Sequence, residues 1–162
     1  MTAVNMERTS TSTSTDRIEK RTVLRAPRSR VWRALTNADE FSAWFGVKLE
    51  GAIAEGAAVR GKLTHSGYEH VTLEMLVERI QPESLFSYRW HPGAVDASVD
   101  YTQEPTTLVE FRLDEEGGET ILTVVESGFD RLPASRRAEA FRMNDGGWTS
   151  QLKRIEKYVA NG

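Results

Sequence analysis

Near Phe129 the hydrophobic pattern of this chain changes period, and that change limits the possible folds more than any other feature. Upstream, apolar and polar residues alternate. Val59 and Leu63 are set against Arg60 and Lys62, and Val71, Leu73, Met75 and Val77 share one parity. Phe86, Tyr88 and Trp90 oppose Ser87 and Arg89, while Val109, Phe111 and Leu113 oppose Glu110 and Arg112. A period of two, broken by turns such as "HSGY" and "EEGGE", predicts antiparallel strands with one buried face. Downstream, Phe141, Trp148, Leu152, Ile155 and Val159 recur at helical spacing and form one stripe along a long helix. A sheet with one apolar face and a helix with one apolar stripe bury each other.

The segment before the strands completes the element order. "DRIEKRTVLRAP" carries Ile18, Val23 and Leu24 as a strand that Pro27 ends. Val31, Trp32 and Leu35 give a short helix over Arg28 to Thr36. Asn37 and Glu40, three apart, open a second helix bearing Phe41, Trp44 and Phe45. The last strand is "TILTVVESGF", and the Pro- and Gly-containing stretch from His91 to Glu104 is too long for a tight hairpin. The expectation is an α+β chain with an antiparallel sheet of about six or seven strands. Two short helices follow its first strand, and a long C-terminal helix lies across it. The Ser/Thr run from Thr9 to Thr15 cannot bury enough apolar surface to order itself, so residues 1–15 are expected to be a disordered tail and 16–162 a single domain.

Within the long helix stands "NDGGW". Two adjacent glycines are poor helix formers. Either "NDGG" breaks the helix, with Asn144 or Asp145 capping a new segment, or the helix runs on, with Gly146 and Gly147 removing side chains where its backbone approaches a neighbour; in both cases Trp148 is expected to point inward.

Composition excludes several function classes. A net charge of −3 over 162 residues argues against nucleic acid as a partner. The absence of cysteine removes disulfides, thiolate chemistry and sulfur-ligated zinc. No apolar run is long enough to span a bilayer, and no apolar h-region marks a secretory signal, so a cytoplasmic location is the default expectation. No nucleophile elbow, phosphate-binding loop or dinucleotide fingerprint occurs. His65 and His70 flank a turn with Glu69 but follow no metal-binding pattern, and they read as exposed turn histidines; neither metal nor cofactor is expected. Between residues 131 and 157 Arg and Lys outnumber Asp and Glu, which reads as a solvated outer helix face.

Three stretches, "APRSRVWRALTNADEFSAWF" at 26–45, "ESGF" at 126–129 and "GGWTSQLKRIEKYV" at 146–159, occur in an order that resembles the START-like, or helix-grip (SRPBCC), superfamily. The branch most similar is the domain family named after the activator of the heat-shock-protein ATPase. The resemblance implies a curved sheet gripping the C-terminal helix around an apolar cavity. It therefore implies a small apolar or aromatic ligand, with a chaperone partner as a lesser expectation and either a monomer or a homodimer. Trp44, Phe45, Phe86, Tyr88, Trp90, Phe111, Phe129, Phe141 and Trp148 fall on inward faces or at element ends bordering that cavity, and are the expected ligand-binding residues. The same residues would equally serve as a filled core.

Enzymes of cyclase, aromatase or hydrolase type also occur among helix-grip relatives. Catalysis here would fall to Glu126, Tyr88 or His91. Glu126 shares parity with Leu122 and Val124, and facing inward it would carry a raised pKa. Ile121, Thr123 and Val125 make the opposite face nearly as apolar. The expected placement of Glu126 is accordingly solvent-facing or backbone-bonded at the strand end. Tyr88 is the expected orienting hydroxyl, and His91 a rim contact.

Overall fold

The computed structural model describes residues 14–160. Seven strands form one antiparallel sheet: β1 (Arg17–Leu24), β2 (Val47–Glu50), β3 (Ala58–Leu63), β4 (Thr72–Gln81), β5 (Leu85–Trp90), β6 (Thr107–Glu116) and β7 (Glu119–Ser127). Their spatial order is β1-β7-β6-β5-β4-β3-β2, so the first strand returns beside the last and the two edges are β1 and β2. Two short helices, α1 (Arg28–Thr36) and α2 (Ala38–Phe45), follow β1, and α3 (Ala134–Ala160) closes the fold. The α+β element order expected from the period change, and the helix-grip arrangement that the resemblance implies, are the ones observed.

The alternation read from the sequence is the alternation of burial. Leu73, Met75 and Val77 of β4, Phe86 and Tyr88 of β5, and Val109, Phe111 and Leu113 of β6 face one core with Leu152, Ile155 and Val159 of α3. In β4 the pairing shifts between Val77 and Arg79. This bulge resets the parity, so that Arg79 stays exposed and Ile80 turns inward.

The two short helices start and stop for local reasons. The Asn37 side chain accepts the Glu40 backbone N–H at 3.0 Å, as the Asn-x-x-Glu spacing predicts. Gly46, at φ 90°, ends α2 in the left-handed conformation that glycine adopts without strain. Trp44 donates its indole N–H to the Ala34 carbonyl at 2.8 Å and locks α2 onto α1. Glu40 then accepts from Arg30, Arg33 and Tyr158 at 2.6, 2.7 and 3.2 Å, tying both short helices to α3.

Two expectations are corrected. Residues 1–13 of the expected tail lie outside the described residues, but Ser14 and Thr15 do not continue it. The Ser14 hydroxyl accepts the backbone N–H of Asp16 and Arg17, and Thr15 donates to Asp130 at 2.9 Å. The other correction concerns "NDGG". The helix is continuous, and Trp148 is buried as expected. Yet a Cβ at Gly146 or Gly147 would meet nothing within 4 Å, so these glycines permit no close approach. They lie on the exposed side of the helix, where their flexibility costs stability without a packing return. Replacing both by alanine should stabilise the fold by about 0.4–1 kcal/mol per site, read as a raised midpoint in urea. A lowered midpoint would mean that the glycines serve a contact this fold does not contain.

Candidate functional site

The β5–β6–β7 register places Tyr88 opposite Val109 and Val109 opposite Glu126, so the three share a row across the sheet; Trp90 and Thr107 face each other two residues along. Helix α3 lays Asn144 and Trp148, four residues apart and hence on one face, over this end of the sheet. The result is a ring of donors around one carboxylate. Glu126 Oε1 accepts from Trp148 Nε1 at 2.8 Å and Asn144 Nδ2 at 2.9 Å. Glu126 Oε2 accepts from Trp90 Nε1 at 2.8 Å, Thr107 Oγ1 at 2.5 Å and Asn144 Nδ2 at 3.0 Å.

Glu126 is thus fully buried, and the solvent-facing placement is corrected. Of the two parities open at β7, the one shared with Leu122 and Val124 is the inward one. Burial lifts the Glu126 carboxyl above its ordinary value, and the hydrogen bonds from Thr107, Trp90, Trp148 and Asn144 work against that rise. Trp90, Trp148 and the Asn144 amide nitrogen can only donate. Their geometry matches the ionised carboxylate, while the apolar surroundings penalise it.

Beside this ring is a cavity of about 390 Å³. Its walls come from the ends of β3 and β4 (Leu63, Val71, Leu73), from Phe45 and Trp90, from Met143 and Asn144 of α3, and from the 91–104 loop. Arg136 of α3 fastens that loop. It pairs with Glu104 at 2.7 Å, donates to the Pro92 and Gly93 carbonyls at 3.0 and 3.4 Å, and lies 4.6 Å from the Tyr101 ring centroid. His91 is fixed by its Nε2, 3.1 Å from the Glu104 carbonyl.

Of the nine aromatics expected to bind a ligand, Phe45 and Trp90 line the cavity. Trp44, Phe86, Tyr88, Phe111, Phe129 and Trp148 are buried in the core instead, and Phe141 packs edge-on against Phe129 at 5.1 Å. The strands are close enough here for the rings to pack on one another. Phe86 stacks on Phe111 at 6.0 Å, and Trp148 contacts Trp90 and Phe111 at 5.8 and 5.6 Å.

Of the three catalytic candidates, His91 lines the cavity, whereas Glu126 and Tyr88 lie behind its wall. Tyr88, the expected orienting group, is not among the lining residues, and its hydroxyl is buried without a hydrogen-bond partner among the described residues. Burial, with Glu126 nearby, pushes its pKa well above the ordinary phenol value. His70 is an exposed turn histidine as expected, but His65 is half-buried, with Nε2 3.1 Å from the Phe45 carbonyl and Nδ1 3.2 Å from Arg154. Among the described residues no group of three or more acidic, histidine or cysteine side chains could hold a metal, and no helix is long and apolar enough to cross a membrane.

The sequence reading missed Thr107, Asn144 and most of the loop that walls the cavity. Asn144 carried a usable signal, its four-residue spacing from the inward Trp148. The loop residues Val95, Val99 and Tyr101 carried none, because irregular backbone has no period.

Two substitutions test this arrangement. Glu126→Gln turns an amide nitrogen toward side chains that can only donate, and should cost about 1–3 kcal/mol. Because the folded-state pKa is raised, the stability wild type draws from Glu126 is fully present below the ordinary carboxylate range and lost as pH rises through the raised value. The gap between wild type and variant, measured by urea unfolding at several pH values, should therefore narrow upward; a gap that widens with pH would contradict the assignment. Tyr88→Phe removes a buried hydroxyl that bonds to nothing, so it should be neutral or stabilising. A loss of more than about 1 kcal/mol would reveal an unrecognised partner.

Comparisons with known proteins agree with this architecture. No match is found among curated proteins. Protein MLL2253 from Mesorhizobium loti superposes with a TM-score of 0.70 at 21% identity, over 90% of this chain and 97% of its own. The Aha1 dimer of Colwellia psychrerythraea gives 0.65 at 16% identity, over 88% and 95% of the two chains. DynU16, from the dynemicin biosynthetic locus, gives 0.67 at 24% identity over 90% of this chain but only 47% of its own. These likenesses are likenesses of fold. The family described as Activator of Hsp90 ATPase homolog 1-like protein matches residues 25–160. On that match, and on a sheet and helix arranged as described, the chain belongs to that family, within the START-like, helix-grip superfamily.

Proposed function

We propose that this chain binds a small, largely apolar molecule in the cavity under the 91–104 loop. The observation that carries the reading is the combination of a hollow and a fixed wall. About 390 Å³ of space lies within the usual range for small-molecule sites. Trp90 and Asn144, which border it, are both held by hydrogen bonds to a buried carboxylate. A wall fixed in this way loses little conformational freedom when a ligand arrives, and the apolar faces of Leu73, Val71 and Phe45 supply area to bury. Access runs past the exposed Val99 and Met143.

N-phenyl-naphthylamine, an apolar fluorophore that brightens away from water, should bind with a fluorescence gain and raise the melting temperature. Val99 is exposed and lines the cavity, so Val99→Trp should block access without disturbing the core, weakening the dye about tenfold, or by about 1.4 kcal/mol. Absence of any gain and of any thermal shift with the wild-type protein would contradict the reading, as would undiminished binding by the variant.

A further inference from the structure

The polar atoms of the same cavity have a direction, and this carries the reading above one step further, resting on it. Asn144 donates its amide nitrogen to both oxygens of Glu126. The reverse orientation would set Oδ1 against a carboxylate, so the chemistry of the ring settles which way the amide lies. Oδ1 is left as an acceptor, with no hydrogen-bond partner among the described residues, on a side chain that lines the cavity.

His91 repeats the logic. Its Nε2 meets the Glu104 carbonyl, which can only accept, so Nε2 carries a proton, and with a single proton on the ring Nδ1 is a second acceptor. The charges agree in sign. The lining residues include Glu74 and Asp100 and neither Lys nor Arg. Glu74 is paired with Arg60 at 3.0 Å, whereas the hydrogen bonds of Asp100 among the described residues run to its near neighbour Thr102. Arg136, which fastens the loop, is spent on Glu104. Behind the wall stands Glu126, bonded to the indole of Trp90. A carboxyl oxygen accepting the indole N–H at the ring's edge adds to the electron density that draws cations to the ring face.

From these placements we infer that the cavity selects an apolar molecule ending in an N–H-donating cation, an organic ammonium or amidinium, and disfavours carboxylates and phosphates. A donor finds Asn144 Oδ1 and His91 Nδ1 ready. An anion finds acceptors and negative charge.

The test is a calorimetric series on the full chain near neutral pH with three ligands of one shape: naphthylmethylammonium, naphthylmethanol and naphthoate. The expected order is ammonium, then alcohol, then carboxylate, with about tenfold or more between the first and last. Binding of the alcohol equal to or tighter than the ammonium, or tightest binding of the carboxylate, overturns the donor assignment while leaving the cavity reading intact. Failure of all three to bind, together with failure of the neutral dye, removes both. Asn144→Leu deletes the acceptor, and should shrink the ammonium-to-alcohol ratio several-fold. An unchanged ratio in a folded variant would show that Asn144 is not the selecting group, contradicting the inference.

Discussion

A carboxylate buried without partners is not tolerated in a protein interior, and Glu126 is buried completely. The fold's answer is to bring donors from β5, β6 and α3 to the two oxygens of one side chain on β7. That requirement fixes where the C-terminal helix can lie. Sliding α3 by one residue along its axis would withdraw Asn144 and Trp148 from Glu126, leaving a charge in an apolar core. Apolar stripes alone specify that a helix covers a sheet; this ring specifies the register. Retention of one polar cluster as a register device is its most direct structural consequence.

The same ring separates core from cavity. On one side of it the aromatics of β5, β6 and α3 close into solid packing. On the other, residues of β4, α3 and the 91–104 loop, which Arg136 fastens, wall the cavity. Trp90 belongs to both sides, stacked on Trp148 within and exposed to the hollow without. The family and its neighbours share the architecture.

Most of the fold was legible because periodicity reports which face of an element is buried. The alternation at Leu73, Met75 and Val77 and the helical stripe through Trp148 and Ile155 both survive intact. Strand β2 passed unread because four residues, Val47 to Glu50, are too few to establish a period beside the helix they follow. The site was legible only in part. Parity could not choose between two apolar faces of β7, and the choice rests on long-range donors that no local pattern around Glu126 contains. An aromatic on an inward face can fill a core or border a hollow, and its place in the three-dimensional packing decides which. That is why Phe45 and Trp90 line the cavity while Phe86, Phe111 and Trp148 do not.

The ring can be observed directly by following the side-chain carboxyl carbon of Glu126 by nuclear magnetic resonance as pH is varied, together with the indole N–H signals of Trp90 and Trp148. The account predicts one titration, displaced above the ordinary carboxylate range, with both indole signals moving at the same midpoint. A Glu126 carboxyl that titrates at the ordinary value, or indoles indifferent to its protonation, would contradict it.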